Sequence, residues 1–426
     1  MKAQNKFRVS IVGLGYVGLP LALLASKKGH AVGGIDLSEA KVELINKRQD
    51  PLKDHYVREN IGSTKLKAHT DFESVEDSEI VIVCVPTPVR DDYQPDLSPL
   101  KSAVDSLSKK LSRGTLVIIE STINPGVCDE VVIPLIEESS GFKVNKDFYV
   151  SHCPERINPG DPKWSVENIP RVAGSSHPKG LALTIKFYES IIEAPIKPMA
   201  SIREAEAVKV VENSFRDVNI AFANELAMSF TKLGIDVKNV IDGAATKPFA
   251  FMPHYPSVGV GGHCIPVDPY YLIEYARGYG FEHEFLSLAR SINNHMPGFT
   301  ADQLADGLSE AGLVLKGSRV AVLGLSYKPN VADDRESPSY KLIKILERKG
   351  VKVTAFDPHI ISKSTVKSLK EAVRDQDAII LATDHKEFHS LKPNELKIKV
   401  FVDGRNSFKP ETFQKNSIVY RGIGRA

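Results

Sequence analysis

Cysteine is scarce in this chain: four thiols, Cys84, Cys128, Cys153 and Cys264, in 426 residues. No two form a CxxC pair or a zinc-ligand spacing, so neither a disulfide framework nor a structural metal is expected. Scattered free thiols suit a reduced, cytoplasmic protein. An excess of charge of one sign is missing too. Lys and Arg number 55 against 53 Asp and Glu, a net +2. That balance excludes a broad basic surface for nucleic acid or membrane and leaves room only for a local pocket that takes an anionic small molecule. No segment reaches the roughly 18–20 unbroken apolar residues of a membrane span, and the opening MKAQNKF lacks the apolar core of a signal peptide. What remains is an ordinary globular composition, 42% hydrophobic and 25% charged, with length enough for two or three domains.

The first thirty or so residues are the most legible. FRVSIVGLGYVGLPLALLASKKGHAVGGID reads as strand, glycine turn, helix and second strand. The run from Phe7 to Val12 ends at Gly13, and Val17 to Ala25 make a buried helix that Lys27, Lys28 and Gly29 stop. Apolar runs recur at EIVIVCVP (79–86) and TLVIIEST (115–122), with a helical stretch between them. This alternation predicts a parallel, doubly wound sheet with ligands at the strand carboxyl ends. From Met199 to Leu233 there is neither glycine nor proline, and the helical periodicity suits a domain connector or a subunit interface. A loop-rich stretch and the helical FLSLARSINNHMP follow. Strand signals then return at RVAVLGLSYK, KVTAFDP, DAIILATDH and VFVDGRN, with the helix SYKLIKILERKG among them. The expected fold is α/β: two Rossmann-like, doubly wound parallel-sheet domains joined by a long central helix, divided as residues 1–200, 201–305 and 306–426.

Gly13, Gly15 and Gly18 form GLGYVG, with Tyr16 and Val17 between them. The first glycine allows the turn, the second lets a pyrophosphate approach the backbone, and the third lets helix pack on strand. Asp36 ends the next strand at the spacing of an acid that binds ribose hydroxyls, and a carboxylate there repels the extra phosphate of NADP, which favours NAD. Lys41 is either an adenosine-side contact or a solvated helix lysine. Pro86, Thr87 and Thr122 lie at the ends of two further strands and reach the same crevice, unless they only shape turns. Glu155 and Arg156 share a proline-bounded loop, as ligand contacts or as an exposed ion pair. Lys209 and Asn213, four apart, share a helix face. A lysine beside an apolar face is suited to proton handling; the alternative is plain surface.

The stretch SVGVGGHCIPVDPYYL sets Gly261 and its neighbours before Cys264, with Asp268 four residues on. A free cysteine is ordinarily a small buried hydrophobe. A glycine-rich loop is a poor place to hide one, so packing and nucleophile both stand. Asp268 is suited to orient a water or a lysine. His263 adjoins Cys264, but sequence neighbours often point apart and no dyad is expected. Lys328, Arg335 and Arg405 form either an anion site or solvated strand ends.

Taken in order, GLGYVG, CVPTP, EST, PER, the K-x-x-x-N helix, GVGGHC-x-x-x-D, the YK…DDRES segment and DGR resemble the UDP-glucose/GDP-mannose dehydrogenase family along essentially the whole chain. The resemblance implies oxidation of the C6 alcohol of a nucleotide sugar to a carboxylate with two NAD+ and no free aldehyde. Cys264 would attack the enzyme-held aldehyde, the resulting thiohemiacetal would be oxidised to a thioester, and water would hydrolyse it. Lys209 and Asn213 would stabilise the oxyanion, Asp268 with Thr122 and a water would handle protons, and Glu155 would assist hydrolysis. Lys328 and Arg405 match positions that contact the UDP-sugar, joined on the substrate side by Glu155, Arg156, Lys209, Asn213 and Gly261. The implied partners are a UDP-sugar substrate and a second copy of the chain, as a homodimer or higher homo-oligomer, in polysaccharide biosynthesis.

Two departures bear on the sugar. Pro159 stands where enzymes acting on UDP-glucose carry a second glutamate, and Val267 where many carry lysine. Both resemble the branch acting on N-acetylated sugars, UDP-N-acetylglucosamine first, with UDP-N-acetylmannosamine as the near alternative and UDP-glucose a further one. Two rival readings stand beside this one, the first within enzymes and the second of another class. A two-electron 3-hydroxyacid-type dehydrogenase has no need of Cys264. A non-catalytic NAD- or UDP-sugar-binding regulator has no need to keep Cys264, Lys209 or Asp268.

Overall fold

The computed structural model describes residues 6–90, 94–156, 164–262 and 264–425. Pro159 and His263 lie outside the described residues. The chain divides into two compact units, Met1–Glu212 with Tyr270–Phe281, and Asn213–Pro269 with Glu282–Ala426.

The first unit is built on β1 (Arg8–Val12), β2 (Ala31–Ile35), β3 (Lys67–His69), β4 (Ile80–Val83), β5 (Leu116–Ile119), β6 (Tyr149–His152), β7 (Arg171–Ser175) and β8 (Ile196–Pro198). They form one sheet in the order β3-β2-β1-β4-β5-β6-β7-β8. IVIV and LVII, the whole of β4 and β5, are buried at every position, as strands covered on both faces must be. Helix Gly18–Lys27 packs into the core on one face with Leu19, Leu23 and Phe187. Helix Ser98–Ser108 packs on the other with Leu100, Val104 and Leu107. The expected all-parallel sheet has one exception: β6 and β7 run antiparallel, Ser151 opposite Ser175. No helix lies between them among the described residues, so the chain makes no crossover and returns the opposite way. Helix Pro178–Ile191 then supplies the crossover that makes β7 and β8 parallel.

The second unit holds β9 (Arg319–Leu323), β10 (Lys352–Phe356), β11 (Ala378–Leu381), β12 (Val400–Asp403) and β13 (Val419–Gly422), all parallel in the order β10-β9-β11-β12-β13. Its first turn repeats that of the first unit. Gly13 (φ +92°) donates its N–H to Ile35 O, and Gly324 (φ +98°) donates to Phe356 O, each at 2.8 Å. The acids that follow differ. Asp357 is fully buried, accepts the N–H groups of Leu325 and Ser326 at 2.7 and 2.8 Å, and lies 3.0 Å from His385 Nε2. Burial pushes this carboxyl up, but the hydrogen bonds from His385 and the backbone outweigh it and hold it well below the usual carboxylate range. The second unit therefore keeps the nucleotide-type turn while spending the ribose-binding acid on its own core.

The long helix, Ile202–Leu233, links the two units and stops at Gly234. Helix Glu284–Glu310 runs past the expected HMP and straight through Pro297. Ala301, Leu304 and Leu308 beyond the proline pack into the second unit's core with Val320 and Val402, and that burial outweighs the hydrogen bond the ring removes. Among the described residues no helix is long and apolar enough to cross a membrane.

Candidate active site

The three glycines of GLGYVG have three different surroundings. A Cβ on Gly13 would meet the Cys84 carbonyl, and one on Gly18 would meet the Gly13 carbonyl, so both glycines serve packing. A Cβ on Gly15 would meet nothing within 4 Å. Protein packing does not explain Gly15, whose backbone faces open space. Behind it, helix Gly18–Lys27 begins with no side-chain cap and no acidic residue in its first turn, which leaves its positive end available to an anion. Asp36 accepts the Leu14 N–H at 2.9 Å and the Ser38 N–H at 3.0 Å, and Lys41 Nζ lies 2.6 Å from it. Lys41 is thus not simply a solvated lysine: it pairs with the acid. Open space at Gly15, an uncapped helix end and an aligned acid fit NAD. Around them, Val17 is the half-buried N-cap residue and Tyr16 is exposed, its hydroxyl 3.3 Å from Leu52 O. Pro86 is exposed as well. Thr87 Oγ1 donates to Thr122 O at 2.6 Å and so ties together the loops after β4 and β5.

Glu155 and Arg156 form no ion pair with each other among the described residues, although the Arg156 backbone N–H donates to Glu155. Arg156 pairs with Glu212 and donates to Pro170 O. Glu155 pairs with Arg171, a guanidinium only 2% exposed that also binds Glu120 at 2.9 Å. Tyr188 donates its hydroxyl to Glu120. Sequence reasoning missed Arg171, because an arginine opening an apolar strand reads as a strand edge. It passed over Glu120 as part of EST.

Three of the four thiols are buried and chemically quiet. Burial pushes Cys153 up to about 12 and Cys84 and Cys128 well above the ordinary thiol range. Cys264 alone among the four is half-buried. Its carbonyl accepts the N–H groups of Val267 and Asp268 at 3.0 and 2.8 Å, a turn that leads into helix Asp268–Gly278. The preceding glycines have a packing task. A Cβ on Gly259 would meet Pro338, one on Gly261 would meet Tyr327 and Pro338, and one on Gly262 would meet the Tyr327 ring. Gly262 also donates to Arg335 O at 3.0 Å.

Asn213 Nδ2 donates to Asp268 at 2.5 Å, both buried, so the structure joins these two sequence candidates directly. The start of the loop is fixed by a buried ladder: Ser257 N–H to Asn224, Asn224 to Asn293, and Asn293 to Asp217. Asp333 holds the Arg335 guanidinium and keeps its charge, with a smaller contribution from Cys264. Arg405 donates to Tyr327 O at 3.2 Å and has no ion pair among the described residues; burial pushes its pKa down. Lys328 adjoins Tyr327 and is half-buried. Lys209, in the first unit, is half-buried with no ion pair among the described residues.

A glycine turn between strand and helix, with an open face and a following acid, defines a dinucleotide-binding protein. Residues 7–192 match the NAD binding domain of the UDP-glucose/GDP-mannose dehydrogenase family, 203–295 its central domain and 321–410 its UDP binding domain. The chain belongs to that family and is an NAD-dependent nucleotide-sugar dehydrogenase. It is 37% identical to the UDP-N-acetyl-D-mannosamine dehydrogenase of Pyrococcus horikoshii, over 98% of this chain and 99% of that one. It is 36% identical to the UDP-N-acetyl-D-glucosamine 6-dehydrogenase of Pseudomonas aeruginosa, over 92% and 94%. The solved structure of UDP-D-ManNAc dehydrogenase from Pyrococcus horikoshii matches with a TM-score of 0.92 at 36% identity, over 98% of this chain and 99% of that one. The UDP binding domain sets aside the 3-hydroxyacid-type reading, and the dehydrogenase family and relatives speak against a non-catalytic regulator.

Proposed function

We propose that the protein oxidises the C6 alcohol of a UDP-N-acetylhexosamine to the uronate through a thioester on Cys264. The observation that carries the mechanism is the contrast among the four thiols: three are buried with raised pKa values, and Cys264 alone is accessible, in a loop whose glycines are fixed by packing. NAD, when bound, would supply the hydride acceptor for the two oxidations. Gly13, Gly15, Gly18 and Asp36 hold it, with Tyr16, Val17, Pro86, Thr87 and Thr122 around it. An aldehyde is a poor hydride donor, and addition of the Cys264 thiolate makes it an alcohol equivalent that can be oxidised again. Lys209 and Asn213 stabilise the oxyanion, and Asp268, which Asn213 already holds, moves the protons with Thr122. Water then hydrolyses the thioester with the help of Glu155. Per sugar, one alcohol, one water and two NAD+ give one carboxylate, two NADH and three protons. Lys328 and Arg405 bind the UDP-sugar with Arg156 and Gly261.

The favoured sugar is UDP-N-acetylglucosamine, on Pro159 and Val267. A second reading, UDP-N-acetylmannosamine, is favoured by the 37% relative and the 0.92 fold match. Initial rates with NAD+ and UDP-N-acetylglucosamine, UDP-N-acetylmannosamine, UDP-N-acetylgalactosamine and UDP-glucose decide. The highest kcat/KM falls on an N-acetylated sugar, and preference for UDP-glucose refutes the assignment. The three segments divide the work: 1–200 binds NAD, 201–305 supplies the cysteine loop and the dimer contact, and 306–426 binds the UDP-sugar. We assign the dimer contact to an apolar groove of about 540 Å³ lined by Phe215, Phe222, Leu226, Phe249, Phe251 and Met252, covered by a second copy of the chain. Free thiols favour a cytoplasmic location, where the product would feed polysaccharide biosynthesis.

A further inference from the structure

Arg171 opens β7, is 2% exposed, and stands between two carboxylates that come from different strand ends. Its Nη1 lies 2.9 Å from Glu120, just beyond β5, and its Nη2 binds Glu155, beyond β6. The guanidinium also stacks over the Tyr188 ring, 5.0 Å from its centre. The second Glu155 oxygen accepts the Arg156 N–H at 2.6 Å. We propose that Arg171 is the positioning residue of Glu155, and that Glu120 sets the strength of Glu155 as a base by competing for the same guanidinium. This rests on the reading of Glu155 as the group that assists thioester hydrolysis.

Among the described residues the two buried carboxylates share one buried cation, and burying ionised carboxylates is costly. The cluster therefore binds a proton readily. Burial pushes the Glu120 carboxyl up most, the Arg171 charge opposes this, and the Glu155 charge adds to it, leaving it up at about 7. The other groups facing it do not titrate there. Burial raises Tyr188, from helix Pro178–Ile191, and Cys84, beyond β4, well above their ordinary values, and raises Cys153, beyond β6, to about 12. His152 is pushed down to about 3 by burial and stays neutral.

With Glu120 protonated, the Arg171 guanidinium is committed to Glu155 and pins its carboxylate. With Glu120 ionised, the guanidinium is shared and the Glu155 carboxylate is freer to take the water proton. In hydrolysis the water oxygen forms the new C–O bond, one water proton passes to Glu155, and the C–S bond breaks to release the Cys264 thiolate. No electrons are transferred.

The test is single-turnover hydrolysis of the acyl-enzyme from pH 6 to 8, with UDP-N-acetylglucosamine and UDP-N-acetylmannosamine as probes and NAD+ in excess. A carboxyl half-titrated near pH 7 makes the wild-type rate rise about tenfold over that range. In Glu120→Gln, which keeps partners for Tyr188 and Arg171, the rate stays flat at the low level. Tyr188→Phe removes a donor to the ionised Glu120 and moves the rise to higher pH. An unchanged rise in Glu120→Gln overturns the proposal. Infrared titration of the resting enzyme gives a second readout: a protonated-carboxyl band that disappears around pH 7 in wild type and is missing from Glu120→Gln. Should no acyl-enzyme form on Cys264 in any protein, the reading of Glu155 fails and the proposal falls with it, whereas an acyl-enzyme that forms but keeps its pH rise in Glu120→Gln overturns the proposal alone.

Discussion

Replacing Gly15 and Gly18 by alanine, one at a time, separates the cofactor's demand from the fold's. Gly15 is not among the glycines with positive φ, and its new methyl would meet no protein atom within 4 Å. Alanine there restricts the unfolded chain and should raise stability by about 0.4–1 kcal/mol. The same methyl would enter the space through which a pyrophosphate reaches the backbone. An overpacking cost of about 1–3 kcal/mol at that contact weakens NAD+ binding by roughly 5- to 150-fold. At Gly18 the methyl would land on the Gly13 carbonyl, which is backbone and cannot swing aside. Gly18→Ala should therefore lose about 1–3 kcal/mol or more of stability, with cofactor binding falling as a consequence. Thermal unfolding of the apoprotein and calorimetric titration with NAD+ read the two effects separately. The account predicts opposite signs in stability and a loss of binding in both. A Gly15→Ala protein that binds NAD+ as wild type does would refute the cradle.

Three further outcomes follow from the geometry. Asp357→Asn leaves Leu325 N, Ser326 N and His385 with an amide in place of a buried carboxylate, a loss of about 3–5 kcal/mol at pH 7. Because the folded carboxyl lies below its unfolded value, its stabilisation is complete above about pH 4 and fades as pH falls further, so urea midpoints of variant and wild type should converge in acid. Arg405→Gln should raise KM for the UDP-sugar about tenfold or more, the worth of a charged hydrogen bond, with kcat nearly unchanged and NAD+ affinity intact. Phe222→Asp places a charge in the apolar groove, where Phe222 is 55% exposed, and should yield monomers in sedimentation, whereas a protein that stays dimeric removes the groove as the interface.

What could be read from the sequence was what local geometry dictates. GLGYVG and Asp36 fall within one strand–turn–helix–strand unit, so their spacing alone carries the cradle, and the absence of Gly and Pro from Met199 to Leu233 is enough for the long helix. Residues whose role depends on distant partners were not legible. Arg171 gains its meaning from Glu120 and Glu155, 51 and 16 positions away. Asp357 looks like a second Asp36 until His385 arrives from beyond β11 and claims it. The antiparallel pairing of β7 with β6 and the helix through Pro297, sustained by core contacts further along, leave no local signal. Gly261 was expected on the substrate side, and Tyr327 and Pro338, over sixty positions away, give the glycines before Cys264 a packing task.

The central claim is a four-electron oxidation through Cys264. It is tested most directly by counting NADH per uronate formed while the enzyme is quenched in acid and its mass is measured. The account predicts two NADH per sugar and an acyl adduct on Cys264 that is absent from Cys264→Ala, a variant that still binds NAD+. One NADH per sugar, or full turnover by Cys264→Ala, would contradict it.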